Sequence, residues 1–451
     1  MRDPVMNRKI LNLALPNIVT NITVPLLGMV DTAIVGHLSE THIGAIAIGT
    51  QIFNLIYWNF GFLRMGTSGF TAQAYGSRRL DEAVRVFLRA FAIAIAIALT
   101  LIVLQYPIAL LSQYIFNGSD KVLSLALSYF FVRIWAAPAT LGLYAIKGWF
   151  IGMQNSKLPM WIAIFINVVN ILCSLLFVLV FHWDIRGVAL GTVIAQYSGL
   201  VVGLFFVILR YGKLFRGRMN KAFLFETLQW GAMRHFFRVN GDIFLRTICL
   251  AAVFTFITSE SGRISDQILA IDALLLQFFT LFSYIMDGFA YAGESLVGRY
   301  IGARDRHSLV STVRHLLVWG LALTALFTAA YAAFGEQFLR IFSDKQNVIE
   351  AARPYLLWTL IIPVCGFSAF LFDGIFVGAT ASRTMRNTMF IATIAFFAVY
   401  YALRMIPPST NANADYIQNN TLWLAFMIYL ATRGIGQALM LQHSVYDKAN
   451  H

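Results

Sequence analysis

LNLALPNIVTNITVPLLGMVDTAIVG, residues Leu11–Gly36, is a run of about 26 mostly apolar residues, long enough to cross a bilayer at about 1.5 Å per residue. A plain anchor needs neither of its two unusual features. Pro16 and Pro25 each remove a backbone donor from the helical ladder, so a bent helix is predicted. Asp31 places a carboxylate below one membrane face, at a cost of about 3 kcal/mol on insertion scales. A bendable helix carrying one costly acid reads as a moving part that binds a cation. The competing reading is a superficial Asp near the helix end.

The rest of the chain has the same character. Of 451 residues, 59% are hydrophobic and 12% charged, about half the charge of a soluble domain. Twelve long apolar segments can be marked, the first at 11–36 and the last at 420–441. Continuous apolarity excludes a β-barrel, whose strands would alternate. The fold class is therefore an all-α polytopic membrane protein with twelve transmembrane helices. No early segment has the short apolar core and cleavage site of a signal peptide, so the first helix is expected to stay in the mature protein. Cys173, Cys249 and Cys365 each sit in an apolar run without CxxC spacing, which predicts buried thiols, not a metal site or a disulfide.

The net charge of +13 is confined to alternate loops, with clusters such as Arg78, Arg79, Arg85 and Arg89, and Arg210, Lys213, Arg216, Arg218 and Lys221. The positive-inside rule then places both termini in the cytoplasm, and nucleic-acid binding is not needed to explain the charge. The longest basic connection divides the chain into an N-terminal six-helix lobe (1–210), a cytoplasmic inter-lobe linker (211–230) and a C-terminal six-helix lobe (231–451). The lobes repeat each other. Phe150, Gly152 and Ser156 match Phe376, Gly378 and Ser382, and Gly76 matches Gly302, every pair 226 positions apart. Six helices per lobe give both the same insertion, a parallel repeat of the kind many secondary transporters use.

Counting from the outer helix ends, Asp31 and Thr192 lie about 8 Å deep, Ser174 about 12 Å and Asn170 about 18 Å. Asn170 and Ser174 are four apart and share a helix face. Together the four can ligate a small hard cation, or hold a carboxyl that exchanges protons. The amide and hydroxyls can equally serve as ordinary interhelical hydrogen bonds. In the second lobe, Asp242 and Arg246 have the spacing of a neutralising pair on one helix. Asp287 has no such local partner and is the better functional candidate. Lys147 and Asp373 are repeat equivalents near the cytoplasmic face and can form an ion pair closing the inner side; snorkelling of Lys147 is the alternative. No Walker A sequence, HExxH, GxSxG or paired-cysteine site occurs, and the loops are too short for a catalytic domain.

The order and spacing of ALPNIV…GMVDTAIVGHLS, GWFIGMQNSKLPM, NVVNILCS, RGVALGTVIAQ and VGRYIGARD resemble the multidrug and toxic compound extrusion (MATE) family, especially its DinF-like branch, over essentially the whole chain. The resemblance implies export of organic cations or amphipathic xenobiotics in exchange for H⁺ or Na⁺ by alternating access. It implies Asp31 as the coupling carboxylate, Pro16 as the bend, and Asn170 and Thr192 beside the acid, with Na⁺ at Asp31, Asn170 and Thr192 as the metal candidate. Ser174 departs from the pattern, since many members of the branch carry a second acid there; this favours proton coupling. Asp373 is similar to a helix-ten acid of the other major branch.

The expectation is a secondary active antiporter in a bacterial inner membrane, monomeric, in contact with lipid and without a cofactor beyond the coupling ion. A lipid-linked-precursor flippase is the alternative within the same architecture, and a membrane enzyme or receptor the alternative outside it.

Overall fold

The computed structural model describes residues 3–450 except 37, 38, 117, 118, 217, 219, 344 and 406–413. Among these, twelve helical spans are long and apolar enough to cross a membrane: α1 (Pro4–Val35), α2 (Thr41–Gly76), α3 (Leu80–Val103), α4 (Asp120–Gly152), α5 (Lys157–Val180), α6 (Asp184–Phe215), α7 (Met233–Ile264), α8 (Asp266–Gly302), α9 (Arg306–Phe342), α10 (Gln346–Gly378), α11 (Ser382–Arg404) and α12 (Ala414–Ala449). Among the described residues there is no strand. The chain is an integral membrane protein.

The chain forms two compact units, Leu15–Asn240, and Met1–Ala14 with Gly241–His451. These divisions lie inside α1 and α7 instead of in the basic connection at 211–230. The first turns of α1 belong with the later half: Trp319 Nε1 donates to Asn7 Oδ1 at 3.0 Å and Lys9 Nζ to Tyr300 OH at 3.2 Å. The first turns of α7 belong with the earlier half, where Phe236 stacks on Phe70 with ring centres 5.4 Å apart. Both changeovers, after Ala14 and after Asn240, are themselves repeat equivalents 226 positions apart. The basic connection is docked on the earlier unit: Arg85 pairs with Glu226 at 3.0 Å, Arg89 Nε donates to the Thr227 carbonyl at 3.0 Å, and Arg218 pairs with Asp81 at 2.5 Å. Counting only basic residues hid these acids.

Packing repeats as the sequence does. In the earlier unit α2 packs on α4, α3 on α4 and α5 on α6; in the later unit α8 packs on α10, α9 on α10 and α11 on α12. The α2–α4 and α8–α10 crossings rest on glycines four apart, Gly148 with Gly152 and Gly374 with Gly378. A Cβ at Gly152 would lie 2.7 Å from the Ser68 carbonyl oxygen, and one at Gly378 would lie 2.5 Å from that of Glu294. Small residues at this spacing let helix backbones touch, which is how helices associate where lipid removes the hydrophobic drive. The turns after these helices also match. Arg78 and Arg304 have φ of 57° and 56°, and Gln154 and Thr380 have 63° and 49°. Each turn closes with the same long bond back into the helix, as from Asn155 N to Phe150 O and from Ala381 N to Phe376 O, both 2.9 Å.

Candidate ion-coupling site

In the unit 15–240, α1 is tied to α5 by polar contacts along its length. Asn17 Nδ2 donates to Ser156 Oγ at 2.9 Å, and Asn167 Nδ2 donates to the Thr23 carbonyl at 3.0 Å. Both prolines remain inside a continuous helix. The missing N–H groups deprive the carbonyls of Asn12 and Asn21 of their helical donors. Thr20 Oγ1 donates to the carbonyl of Pro16 at 3.0 Å.

Further along the same helix Asp31 is buried, with 4% of its surface exposed. Ser174 on α5 hydrogen-bonds its carboxyl, and the opposite charge acting on it is Arg133 of α4. Oδ1 of Asp31 is buried with no hydrogen-bond partner. From Ser174 a hydrogen-bond chain runs onward: Ser174 Oγ donates to Asn170 Oδ1 at 3.4 Å, Asn170 Nδ2 to Thr192 Oγ1 at 2.9 Å, and Thr192 Oγ1 to the Val188 carbonyl at 3.2 Å. Gly191 permits the α5–α6 approach, because a Cβ there would sit 2.7 Å from Ser174 Oγ. The four first-lobe candidates are thus one connected group.

In this chain Asn170 Oδ1 accepts from Ser174 and Thr192 Oγ1 accepts from Asn170. Arg133 of α4 adds a buried positive charge beside this group. Its guanidinium lies 4.8 Å from the centre of the Phe53 ring, and its Nη1 donates to Tyr129 OH at 2.5 Å. The signal was legible: Arg133 lies 13 residues beyond the start of α4, about 20 Å into the span. Among the described residues no group of three or more His, Cys, Asp or Glu can hold a metal.

The second-lobe candidates gather differently from the expected pairing. Asp242 and Arg246 do not neutralise each other. Asp242 Oδ1 accepts from Arg386 Nη1 at 2.6 Å and its Oδ2 from Ser382 Oγ at 2.9 Å, both on α11. Arg246 pairs instead with Asp373 on α10. Asp373 also accepts from Arg433 Nη2 at 2.7 Å and from Gln437 Nε2 at 3.0 Å, both on α12. Spent between helices, each charge joins two elements, whereas an i,i+4 pair would join none. Asp287 of α8 also acts on Arg433. Asp373 is therefore neutralised inside its own unit. Lys147 lies in the other unit, where the charged group acting on it is Arg64. Arg433 and Gln437 were missed, although their spacing of four in the last apolar helix marked one polar face. The three cysteines are free and only half-buried, less enclosed than their apolar surroundings predict.

Each unit repeats the helix packing of the other, and the earlier unit holds a buried acid on its first helix. The comparisons assign the class. The MatE family model matches twice, over residues 16–176 and 243–402, one match per repeat. DNA damage-inducible protein F of Escherichia coli (strain K12) is 34% identical over 428 residues, covering 95% of this chain and 90% of that one. The multidrug resistance protein MdtK of Edwardsiella ictaluri is 22% identical, covering 96% of this chain and 95% of its own. A crystal structure of MATE in the bent conformation superposes with a TM-score of 0.85 over 99% of this chain and 96% of that one, at 15% identity. The chain belongs to the MatE family, whose relatives include multidrug efflux transporters.

Proposed function

We propose that this protein is an ion-coupled antiporter that exports organic cations or amphipathic xenobiotics in exchange for H⁺, with Na⁺ as the second candidate ion. The observation that carries the reading is the buried, unpartnered Oδ1 of Asp31 beside the Ser174–Asn170–Thr192 chain. A proton on that carboxyl removes its attraction to Arg133 and gives Ser174 a donor in place of an acceptor. The packing of α1 against α5 then differs between the two states. Exchange follows when proton and substrate each bind the two conformations unequally. Pro16 lies two residues past the point where α1 passes from one compact unit to the other, a suitable place for the helix to flex. We place both termini in the cytoplasm of a bacterial inner membrane and take the monomer as the working form.

A lipid-linked-precursor flippase is the second reading. It is favoured by Arg64, Arg133 and Lys147, three intramembrane cations of the unit 15–240. Purified protein in liposomes separates the two. A ΔpH is expected to drive a fluorescent organic cation against its gradient, and a Na⁺ gradient alone to do less. Movement of an anionic lipid analogue without response to either gradient would favour the flippase.

A further inference from the structure

Another of the buried acids in the unit 241–451 is Asp272. Asp272 of α8 is 1% exposed and meets Ser261 of α7 together with Asn419 and Trp423 of α12, all three buried. Its Oδ1 accepts from Asn419 Nδ2 at 3.0 Å and from Trp423 Nε1 at 2.7 Å. Its Oδ2 lies 2.5 Å from Ser261 Oγ. Every group acting on the carboxyl is neutral. The neighbouring Glu260 is occupied elsewhere, by Tyr400 OH at 2.7 Å, Arg404 at 2.5 Å and Arg263 at 3.2 Å. From α10, Tyr355 faces Asp272 and Asn419, and from α12, Tyr416 and Asp415 face Tyr355. Among the described residues no cation pairs with Asp272.

The hydroxyl of Ser261 decides what this group can do. Ser261 Oγ is 2.8 Å from the Ile257 carbonyl and 2.5 Å from Asp272 Oδ2, and a hydroxyl has one hydrogen to donate. When that hydrogen goes to Ile257 O, the contact with Asp272 needs a proton on the carboxyl, and Oδ2–H donates to Ser261 Oγ. When the acid is ionised, the hydroxyl rotates to donate to Oδ2, and Ile257 O keeps its ordinary helical bond. Asn419 and Trp423 donate to Oδ1 in both states. The carboxyl thus holds or releases one proton while each of its two oxygens keeps a partner and no heavy atom moves. A carboxylate with no cation beside it is costly inside a membrane helix.

We propose that Asp272 is a second proton-binding site, its Oδ2 donating to Ser261 Oγ when protonated and accepting from the rotated Ser261 hydroxyl when ionised. A cavity lined by Tyr400, Arg404, Gln418 and Thr421 lies between α11 and α12, beside the contact of Tyr400 OH with Glu260, the neighbour of Ser261. The inference deepens the ion-coupled reading above, and its test is an equilibrium titration that requires no transport.

Infrared difference spectra of the full chain in lipid, recorded across a pH titration, read protonated carboxyls directly. The expected result is a carboxylic C=O band that shifts in D₂O, is lost at alkaline pH, is absent from Asp272→Asn and is retained in Asp31→Asn. Ser261→Ala, which keeps the acid but removes its partner, should keep the band at a shifted frequency. A band unchanged in Asp272→Asn, or unshifted in Ser261→Ala, would overturn the assignment. Retention of the Asp272 band in a variant that no longer couples to ΔpH would leave this inference standing while the transport reading fell.

Discussion

Replacing Gly378 by alanine tests the helix crossing on which the later unit is built. The added methyl would lie 2.5 Å from the Glu294 carbonyl oxygen and 3.0 Å from Gly298 N, against 3.4–4 Å for ordinary contact. Both obstacles are backbone atoms of α8, so no rotamer change relieves them and the helices must part by about 1 Å. Overpacking of this kind costs up to about 3 kcal/mol. Gly378 is the last residue of α10, so alanine returns less than the roughly 1 kcal/mol of a helix interior, leaving a net loss of about 2 kcal/mol or more. Gly152→Ala, the repeat counterpart, places its methyl 2.7 Å from the Ser68 carbonyl oxygen and 2.5 Å from the Thr71 side chain, part of which can yield. Its loss should be smaller but of the same sign. Thermal unfolding of purified protein in detergent measures both. If both variants melt with the native protein, within about 0.5 kcal/mol, the close-contact reading of the two crossings is refuted.

Two further outcomes are expected. Asp373→Asn leaves Arg246 and Arg433 buried without the carboxylate that both pair with, a loss of about 3–5 kcal/mol that a second substitution, Arg433→Gln, should partly restore; detergent melting of the single and double variants checks this. Asp305 lies between α8 and α9 and accepts from Ser308 N at 3.0 Å as the cap of α9, and its hydrogen bonds with Ser308 hold its carboxyl below the usual carboxylate range. Because its folded value is depressed, its stabilisation is present above the unfolded value and lost as pH falls through the folded one. Asp305→Ala should therefore cost about 1 kcal/mol at neutral pH and almost nothing near pH 2, read from melting at the two pH values.

Much of this architecture was legible in the sequence because lipid allows few solutions. Continuous apolar runs of these lengths specify helices, and one spacing, shared by Phe150 with Phe376 and Gly152 with Gly378, specified the repeat before any packing was seen. Asp31, Asn170, Ser174 and Thr192 could be gathered because depth along a helix is a one-dimensional count. Pairing between helices is not. Asp242 with Arg246 satisfied a local rule, yet each found a partner on another helix, and no spacing announces that choice. The changeovers after Ala14 and Asn240 were hidden for the same reason: apolarity is blind to which bundle a helix turn packs against.

The most direct test is gradient-driven transport by Asp31→Asn in liposomes, beside native protein reconstituted to the same density. The amide keeps the shape of the side chain but can neither bind nor release a proton. The account predicts that ΔpH-driven movement of an organic cation falls to the level of empty liposomes while the variant inserts and melts normally. Native exchange by that variant would contradict it.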